Sequence, residues 1–545
     1  MWATGECEID LPEDYMKMRS TINMAVECVD RHVKEGRGDY PAVYEGNKVI
    51  TYAELMALEN KFGNVLKSLG IRKGQSFLIR SGNCMAIFAA VLGGMKIGAV
   101  PVPTNTMFRA KEIEHILNNS DSVLALSTGE LVDVIEEVRG KCPKLKDIML
   151  IEGDKPGCLA YDELMRNASC ELEAVETAKD DLAFILYTSG TTGSPKGVEH
   201  AHRWIIGAGD PIGKIVMGLS PGDVVLQPQE ISFMFPFGCT FFFPFYCGAA
   251  VVMYNGRFNP DKVFDYIEKY KVSVFCGVPT LYRMLLAQQG VESKYDLSSL
   301  KLCHSAGEPL PADSFNEFQR RFGVKIYDCL GQTEPHEFMG NWPGMGIKAG
   351  SMGRPFPGVD VRVLDDEQNE CPVGVTGEVC VHRSHPALFL SYRKMPERME
   401  LVFRGEWYYT QDKAYRDEGG YYWYVSRSDD LIKSRGYLIS PKEVEEVCLE
   451  LPWVLEAAAI GSPDSILGQK VKVFITLRDG KLEGTPEMAE SLAEHVRTRL
   501  APYKTPREVE FLKELPKTAT GKIMRKVLKE WEERKFQERE AIEHR

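Results

Sequence analysis

The chain has 545 residues, 44% of them apolar and 26% charged, and a formal net charge of −12. That length exceeds one ordinary core and calls for two or more domains, with the composition of a globular protein. The acidic balance argues against nucleic-acid binding, so an anionic ligand would have to meet a local positive site.

The first ten residues carry early acids and no basic stretch followed by an apolar one, so no secretory signal is expected. The 14 cysteines contain no Cys-x-x-Cys pair. Buried thiols in a reducing cytoplasm are the expectation. Strand-like runs at Ser76–Ile79, Ser122–Leu126, Val272–Phe275 and Val324–Tyr327 alternate with helix-like segments. That alternation predicts an α/β fold. Residues 231–254 hold no charge, long enough to span a bilayer. Pro236, Gly238, Pro244 and Gly248 punctuate the run, which favours a crowded core or pocket wall over a membrane span. Short strands near Val359–Leu364 and Gly377–Val381 suggest a small β-barrel-like piece. A boundary falls at Ser426–Asp430, giving residues 1–428 as a large domain and 429–545 as a small α+β one. Within the latter, Ser440-Pro-Lys-Glu443 fits a capping box opening a helix. The lysine-, arginine- and glutamate-rich tail from Gly521 reads as a solvated helix.

Directly after the apolar run Leu182–Leu186 comes Tyr187-Thr-Ser-Gly-Thr-Thr-Gly-Ser-Pro-Lys-Gly197. Its glycines permit close backbone approach, its hydroxyls add donors and Lys196 adds charge, a combination suited to a polyphosphate. It is not a Walker A loop, because Pro195 precedes Lys196; a plain turn is the competing reading. Farther on, Asp328-Cys-Leu-Gly-Gln-Thr-Glu334 follows a strand-like run, which puts polar groups on the ligand side of an α/β sheet. Glu334 could hold a magnesium ion against phosphates, or this could be an ordinary polar turn.

Together these motifs resemble those of AMP-forming acyl-CoA synthetases of the adenylate-forming superfamily. Tyr187–Gly197 matches the phosphate loop and Gly331-Gln-Thr-Glu334 the second core motif. Tyr409-Thr-Gln-Asp412, Ser426-Arg427 with Asp429-Asp430, and Pro516–Lys522 follow in the family's order. The likeness runs from about residue 40 through Lys522, nearly the whole chain. It implies a large N-terminal domain of layered α/β subdomains with a small β-barrel, and a small mobile C-terminal domain. It also implies a carboxylate attacking the α-phosphorus of ATP, then coenzyme A displacing AMP, in either net direction. Magnesium would be the cofactor.

The resemblance further implies roles. Thr188, Ser189, Gly190, Thr191, Thr192 and Lys196 would cradle the phosphates. Gly307, Glu308 and Pro309 would line the adenine and acyl sites, with Asp328 and Gln332 in the same nucleotide site. Thr333 would contact the α-phosphate and Glu334 the metal. Asp412 and Arg427 would hold the ribose. Lys522 would stabilise charge during adenylation. Asp429 would be the hinge, while Gly436 would border the pantetheine tunnel, where a side chain would obstruct the arm; Arg435 beside it offers a cation either to a phosphate of coenzyme A or of the adenylate, or to solvent. Three positions depart from the family pattern. Leu330 replaces an aromatic that stacks on adenine, Ser426 a glycine, and Leu438 an arginine.

Phe233, Phe235, Phe237 and Phe241–Phe243 lie where relatives build the acyl pocket, most of them as core and a minority facing a ligand. Such a wall favours an apolar acid larger than acetate, and His336 could close it or be a hydrogen-bonded structural histidine. Asn341–Gly344 through Gly350–Gly353 resemble medium-chain acyl-CoA synthetases and the aromatic pocket resembles benzoate-type ligases, which implies a medium-chain, alicyclic or aromatic acid. The carrier-loading enzymes of the same fold are the alternative, since a free carrier could serve. Ser305 in Cys303-His-Ser-Ala-Gly307 as a hydrolase nucleophile is weaker, for the elbow wants glycine at Cys303. A non-catalytic nucleotide sensor is opposed by Lys522, Glu334 and Asp412 occurring together. No membrane span is expected, and homo-oligomerisation stays open.

Overall fold

The computed structural model describes residues 18–188, 195–308, 310–427, 430–434, 437–464, 468–480, 482–500, 502–518 and 521–543. Two compact units divide it: residues 1–361 with 381–408, and residues 362–380 with 409–545. The functional boundary expected at 428/429 is a separate matter, and both residues lie outside the described ones.

In the first unit a nine-stranded sheet has a parallel centre. Its order runs Ile326–Gln332, Leu302–Ala306, Val274–Cys276, Val224–Leu226, Ala250–Val252 and Pro41–Glu45. Antiparallel strands flank it, His336–Gly340 on one side and Lys48–Thr51 on the other. The central strands are buried along their length, the pattern of a parallel sheet covered on both faces. A second, all-parallel sheet is built on Ser76–Arg80, Val100–Pro103 and Leu124–Ser127. The hairpin Leu182–Thr188 and Lys196–Ala201, with Ser391–Tyr392 on its edge, makes a third. The α/β reading is borne out.

The uncharged run 231–254 folds as short helical turns, Met234–Phe237, Gly238–Phe242 and Phe243–Cys247, followed by strand Ala250–Val252. Phe237, Phe241, Phe242, Phe243 and Phe245 all have 0% exposure, so it is crowded core. Among the described residues no helix is long and apolar enough to cross a membrane. One buried cation ties the core together. Lys96 Nζ, with 0% exposure, lies 2.7 Å from Asp30 Oδ1 and 2.9 Å from Glu59 Oε1.

Several buried histidines in this unit are held neutral, His202 and His385 among them. Burial lowers His202 to about 4 and His385 to about 3. The unfolded chain takes up protons near pH 6.5 while the native imidazoles do not, so stability falls as pH drops from 6.5 toward 4. Each histidine removes up to about 1.4 kcal/mol per pH unit over that window. His304, raised by Glu337 despite burial, works in the opposite sense. Urea midpoints measured from pH 7 to 4.5 should decline, and His202→Asn should flatten the slope; an unchanged slope would refute the assignment.

The second unit holds a five-stranded sheet around the long antiparallel pair Val454–Asp464 and Gly468–Leu477, with Glu508–Phe511 parallel to the latter. Helices Pro441–Leu449 and Pro486–Arg499 cover a core of Val444, Val473, Ile475, Leu492 and Val496. Here two expectations need correcting. Pro441 does open its helix, but Ser440 makes no capping bond: its hydroxyl donates to the Val425 carbonyl, and Glu443 pairs with Lys504. Nor is the tail simply solvated. Helix Arg525–Glu543 buries Leu528 (0% exposed) and Glu532 (2%). Arg525 grips Glu445 at 2.7 Å, and Lys529 reaches Asp430 at 2.8 Å. Lys472 sits among Glu508, Glu510 and Glu532 at 2.6–2.9 Å. The charges of the tail repeat at helical spacing, and one stripe of them pairs with Glu445 of helix Pro441–Leu449, with Asp430 and with Lys472 of the sheet.

Candidate active site

The phosphate-loop motif lies at the tip of a β-hairpin. Tyr187 pairs with Gly197 and Thr188 with Lys196, so both ends of the loop are set by strand register. The base is pinned from outside as well. Tyr187 donates to Asn119 Oδ1 at 2.6 Å, and His115 Nε2 meets the Pro195 carbonyl at 2.9 Å. Lys196 Nζ lies 5.9 Å from the centre of the Tyr392 ring. Ser189, Gly190, Thr191 and Thr192 lie outside the described residues.

The second motif forms the turn between strands Ile326–Gln332 and His336–Gly340. Glycine is required at 331, because a Cβ there would come within 2.7 Å of the His336 carbonyl and 2.8 Å of Glu337 Cα. The turn leaves Gln332, Thr333 and Glu334 half-exposed. Two tyrosines hold alternate residues of it. Tyr408 donates to Gln332 Oε1 at 2.9 Å, and Tyr392 donates to Glu334 Oε1 at 2.7 Å. Burial and the adjoining Glu334 carboxylate push the Tyr392 hydroxyl well above its usual range, so it stays a donor. The backbone is held too: Phe389 N–H donates to the Glu334 carbonyl at 2.9 Å, and His385 Nε2 meets the Pro335 carbonyl at 3.1 Å. Neither the tyrosines nor His385 carries a local sequence signal; only the pairing of Ser391–Tyr392 with the hairpin brings Tyr392 here.

Gly307 follows strand Leu302–Ala306 at φ +90°, and Glu308 accepts from Thr280 Oγ1 at 3.1 Å. Pro309 is outside the described residues. Asp328, buried, accepts from Leu310 N–H at 3.3 Å. Ser305 has 0% exposure in mid-strand, and its hydroxyl has no hydrogen-bond partner among the described residues, so it is no hydrolase nucleophile.

Of the expected acyl-pocket residues, Phe237 is wholly buried, with its ring 5.3 Å from Phe184 and 4.9 Å from Phe242. Phe235 is half-buried, with its ring 5.4 Å from His304. His304 forms a buried pair with Glu337 at 3.1 Å, beside Cys329. Its charge holds the Glu337 carboxyl below the usual range although burial alone would raise it. His336 is 1% exposed, takes the left-handed φ of +58° and is lowered by burial to about 4. Its Nδ1 accepts from Glu337 N–H at 2.7 Å, which leaves the proton on Nε2, without a partner among the described residues and turned toward Gly238.

In the second unit, register sets Asp412 opposite Arg427, with Arg427 Nη1 3.6 Å from Asp412 Oδ1. Asp412 is 4% exposed, and Arg427 Nη2 also donates to Gln411 at 3.1 Å. Lys522 is presented by a tight turn. Lys517 bridges Ile523, Thr518 N–H donates to the Lys522 carbonyl at 2.8 Å, and Gly521 takes φ +88°, which favours glycine. The Lys522 side chain is exposed. Asp429, Arg435 and Gly436 lie outside the described residues.

Residues 29–392 match the AMP-binding enzyme family, and residues 443–522 match the AMP-binding enzyme C-terminal domain. The chain belongs to the AMP-binding enzyme family, among its AMP-forming acyl-CoA synthetases, which bears out the acid–thiol ligase class expected from the motifs. It is 37% identical to an uncharacterised acyl-CoA ligase, YtcI, of Bacillus subtilis, over 89% of this chain and 90% of that one. It is 35% identical to a benzoate–CoA ligase of Thauera aromatica, over 95% and 96%. The crystal structure of the anthranilate CoA ligase AuaEII in complex with anthranoyl-AMP superposes with a TM-score of 0.88 at 33% identity, covering 94% of this chain and 98% of that one.

Proposed function

We propose that this enzyme activates a carboxylic acid with a ring or medium-length apolar chain as its acyl-adenylate and passes the acyl group to coenzyme A. The observation that carries the substrate reading is Phe235, half-buried with its ring 5.4 Å from His304, in a run whose Phe237, Phe241, Phe242 and Phe243 make a wall of rings with no exposure. Such a wall favours an apolar acyl group larger than acetyl. His336 Nε2–H gives that wall one donor. Relatives that act on benzoate and anthranilate support the aromatic end of the range.

Thr188, Lys196 and the loop between them, including Ser189, Gly190, Thr191 and Thr192, bind the β- and γ-phosphates. Gly307, Glu308, Pro309, Asp328 and Gln332 line the nucleotide side, and Thr333 meets the α-phosphate. The single fixed carboxylate of Glu334 suits magnesium, which prefers one or two carboxylates plus phosphate oxygens. Magnesium supplies charge neutralisation on the phosphates when bound. Asp412 accepts both ribose hydroxyls, with Arg427 alongside. Lys522 sits by the attacking carboxylate and α-phosphate, Asp429 serves as the hinge between residues 1–428 and 429–545, and Arg435 and Gly436 border the coenzyme A arm. Mostly buried free thiols support a cytoplasmic location.

The test is pyrophosphate release over benzoate, cyclohexanecarboxylate, hexanoate and acetate, with and without coenzyme A. Turnover should be coenzyme A-dependent and at least about tenfold better for the first three than for acetate, since pocket discrimination runs at about 1–3 kcal/mol per methylene. Preference for acetate would overturn the substrate reading. Sustained release without coenzyme A, given a carrier protein, would favour carrier loading.

A further inference from the structure

We propose that Tyr392 is a positioning residue for adenylation: its hydroxyl aims the Glu334 carboxylate at the metal–nucleotide, and its ring seats Lys196. The inference rests on the magnesium role given to Glu334 above. Tyr392 belongs to the two-residue strand Ser391–Tyr392, where it faces Val198 in the phosphate-loop hairpin. Its backbone is therefore registered to one motif while its hydroxyl, 2.7 Å from Glu334 Oε1, holds the other. Lys196 Nζ at 5.9 Å and the Arg398 guanidinium at 5.8 Å both lie over the ring, within reach of cation–π attraction. The ring is itself locked, 3% exposed and 4.9 Å from that of Phe389.

The geometry gives the hydroxyl a specific task. A carboxylate has two oxygens, and free rotation would present either to a cation. Engaging Oε1 fixes the plane of the group and leaves Oε2 to face the metal. A hydrogen bond to an ionised acceptor is about twice as strong as a neutral one, enough to hold that plane. Partners that orient metal-ligating carboxylates change metal affinity about 10–100-fold when removed. Tyr408 performs the parallel task on Gln332, two residues earlier, so the half-exposed turn has its side chains fixed from one side.

Tyr392→Phe tests this, because it keeps the ring and deletes only the hydroxyl. The first readout needs no catalysis and no acid: Mn2+ affinity by electron paramagnetic resonance, in the presence of α,β-methylene-ATP. It should weaken about tenfold, while binding of the same analogue in EDTA stays within twofold. The second compares half-reactions. Acyl-adenylate formation from benzoate should need about tenfold more Mg2+, and thioester formation from preformed benzoyl-adenylate should be unchanged. In a Glu334→Gln background, Tyr392→Phe should add no further loss of Mn2+ affinity. Unchanged Mn2+ affinity, equal losses in both half-reactions, or full additivity with Glu334→Gln would each overturn the proposal. A wrong acid in the substrate reading would leave the Mn2+ measurement untouched, so the two failures are distinguishable.

Discussion

Lys522→Ala is expected to slow acyl-adenylate formation by about a hundredfold or more, while thioester formation from preformed acyl-adenylate stays within a few-fold of wild type. A fixed ammonium beside developing anionic oxygens in a water-excluded site has effects of this size. The alternative is that Lys522 is one more cation in a basic tail. Lys526, four residues on, is the control: it is exposed and pairs with Glu530 at 3.9 Å. Lys526→Ala should leave both half-reactions unchanged. The turn geometry explains why the two differ. Lys522 projects from a hairpin stapled by Thr518 and Gly521, whereas Lys526 rides on a helix. Single-turnover assays with radiolabelled acid would separate the half-reactions. Similar effects of both substitutions would remove Lys522 from the chemistry.

Lys96→Met should have the largest effect on stability, about 3–5 kcal/mol. The ammonium has 0% exposure and pairs with both Asp30 and Glu59, and Glu59 also has 0% exposure. Burial alone pushes the Glu59 carboxyl well above its usual range, with Lys96 opposing the shift. Without the cation, one proton must be taken up or water admitted. Urea unfolding followed by tryptophan fluorescence would measure the loss, and adding Glu59→Gln should recover a large part of it. A loss below about 1 kcal/mol, the range of exposed pairs, would contradict the buried-triad account.

Much of this molecule was readable from its residue order. The apolar run Leu182–Leu186 did become a strand ending at the glycine- and hydroxyl-rich loop, whereas Asp328–Glu334 does not follow its strand as expected: Asp328 to Gln332 lie within strand Ile326–Gln332, and Thr333 and Glu334 come after it. These signals are local: periodicity, glycine and hydroxyl content. What escaped was long-range. Nothing near Ser440 announces that Val425 will claim its hydroxyl in place of the helix end. The tail looked solvated because its charges are dense, and their partners, Glu445, Asp430 and Lys472, lie far back in the chain. Tyr392 and Tyr408 sit in unremarkable contexts, and only the folded sheet gives them Glu334 and Gln332. The stretch Phe233–Tyr246 could be placed in a crowded interior, yet which ring stays half-buried was not legible, since Phe235 and Phe237 differ only in packing.

The docked face of helix Arg525–Glu543 bears on how this enzyme can be shortened or fused. A chain cut just after Lys522 would keep every recognisable motif, but it would strip Arg525 from Glu445 and open Phe474 and Leu515 to water where Leu528 now covers them. Glu445, itself buried, would be left as an unmatched negative charge. Minimal versions for engineering should therefore extend past Glu532, and any appended tag belongs beyond that helix rather than at the end of the motif.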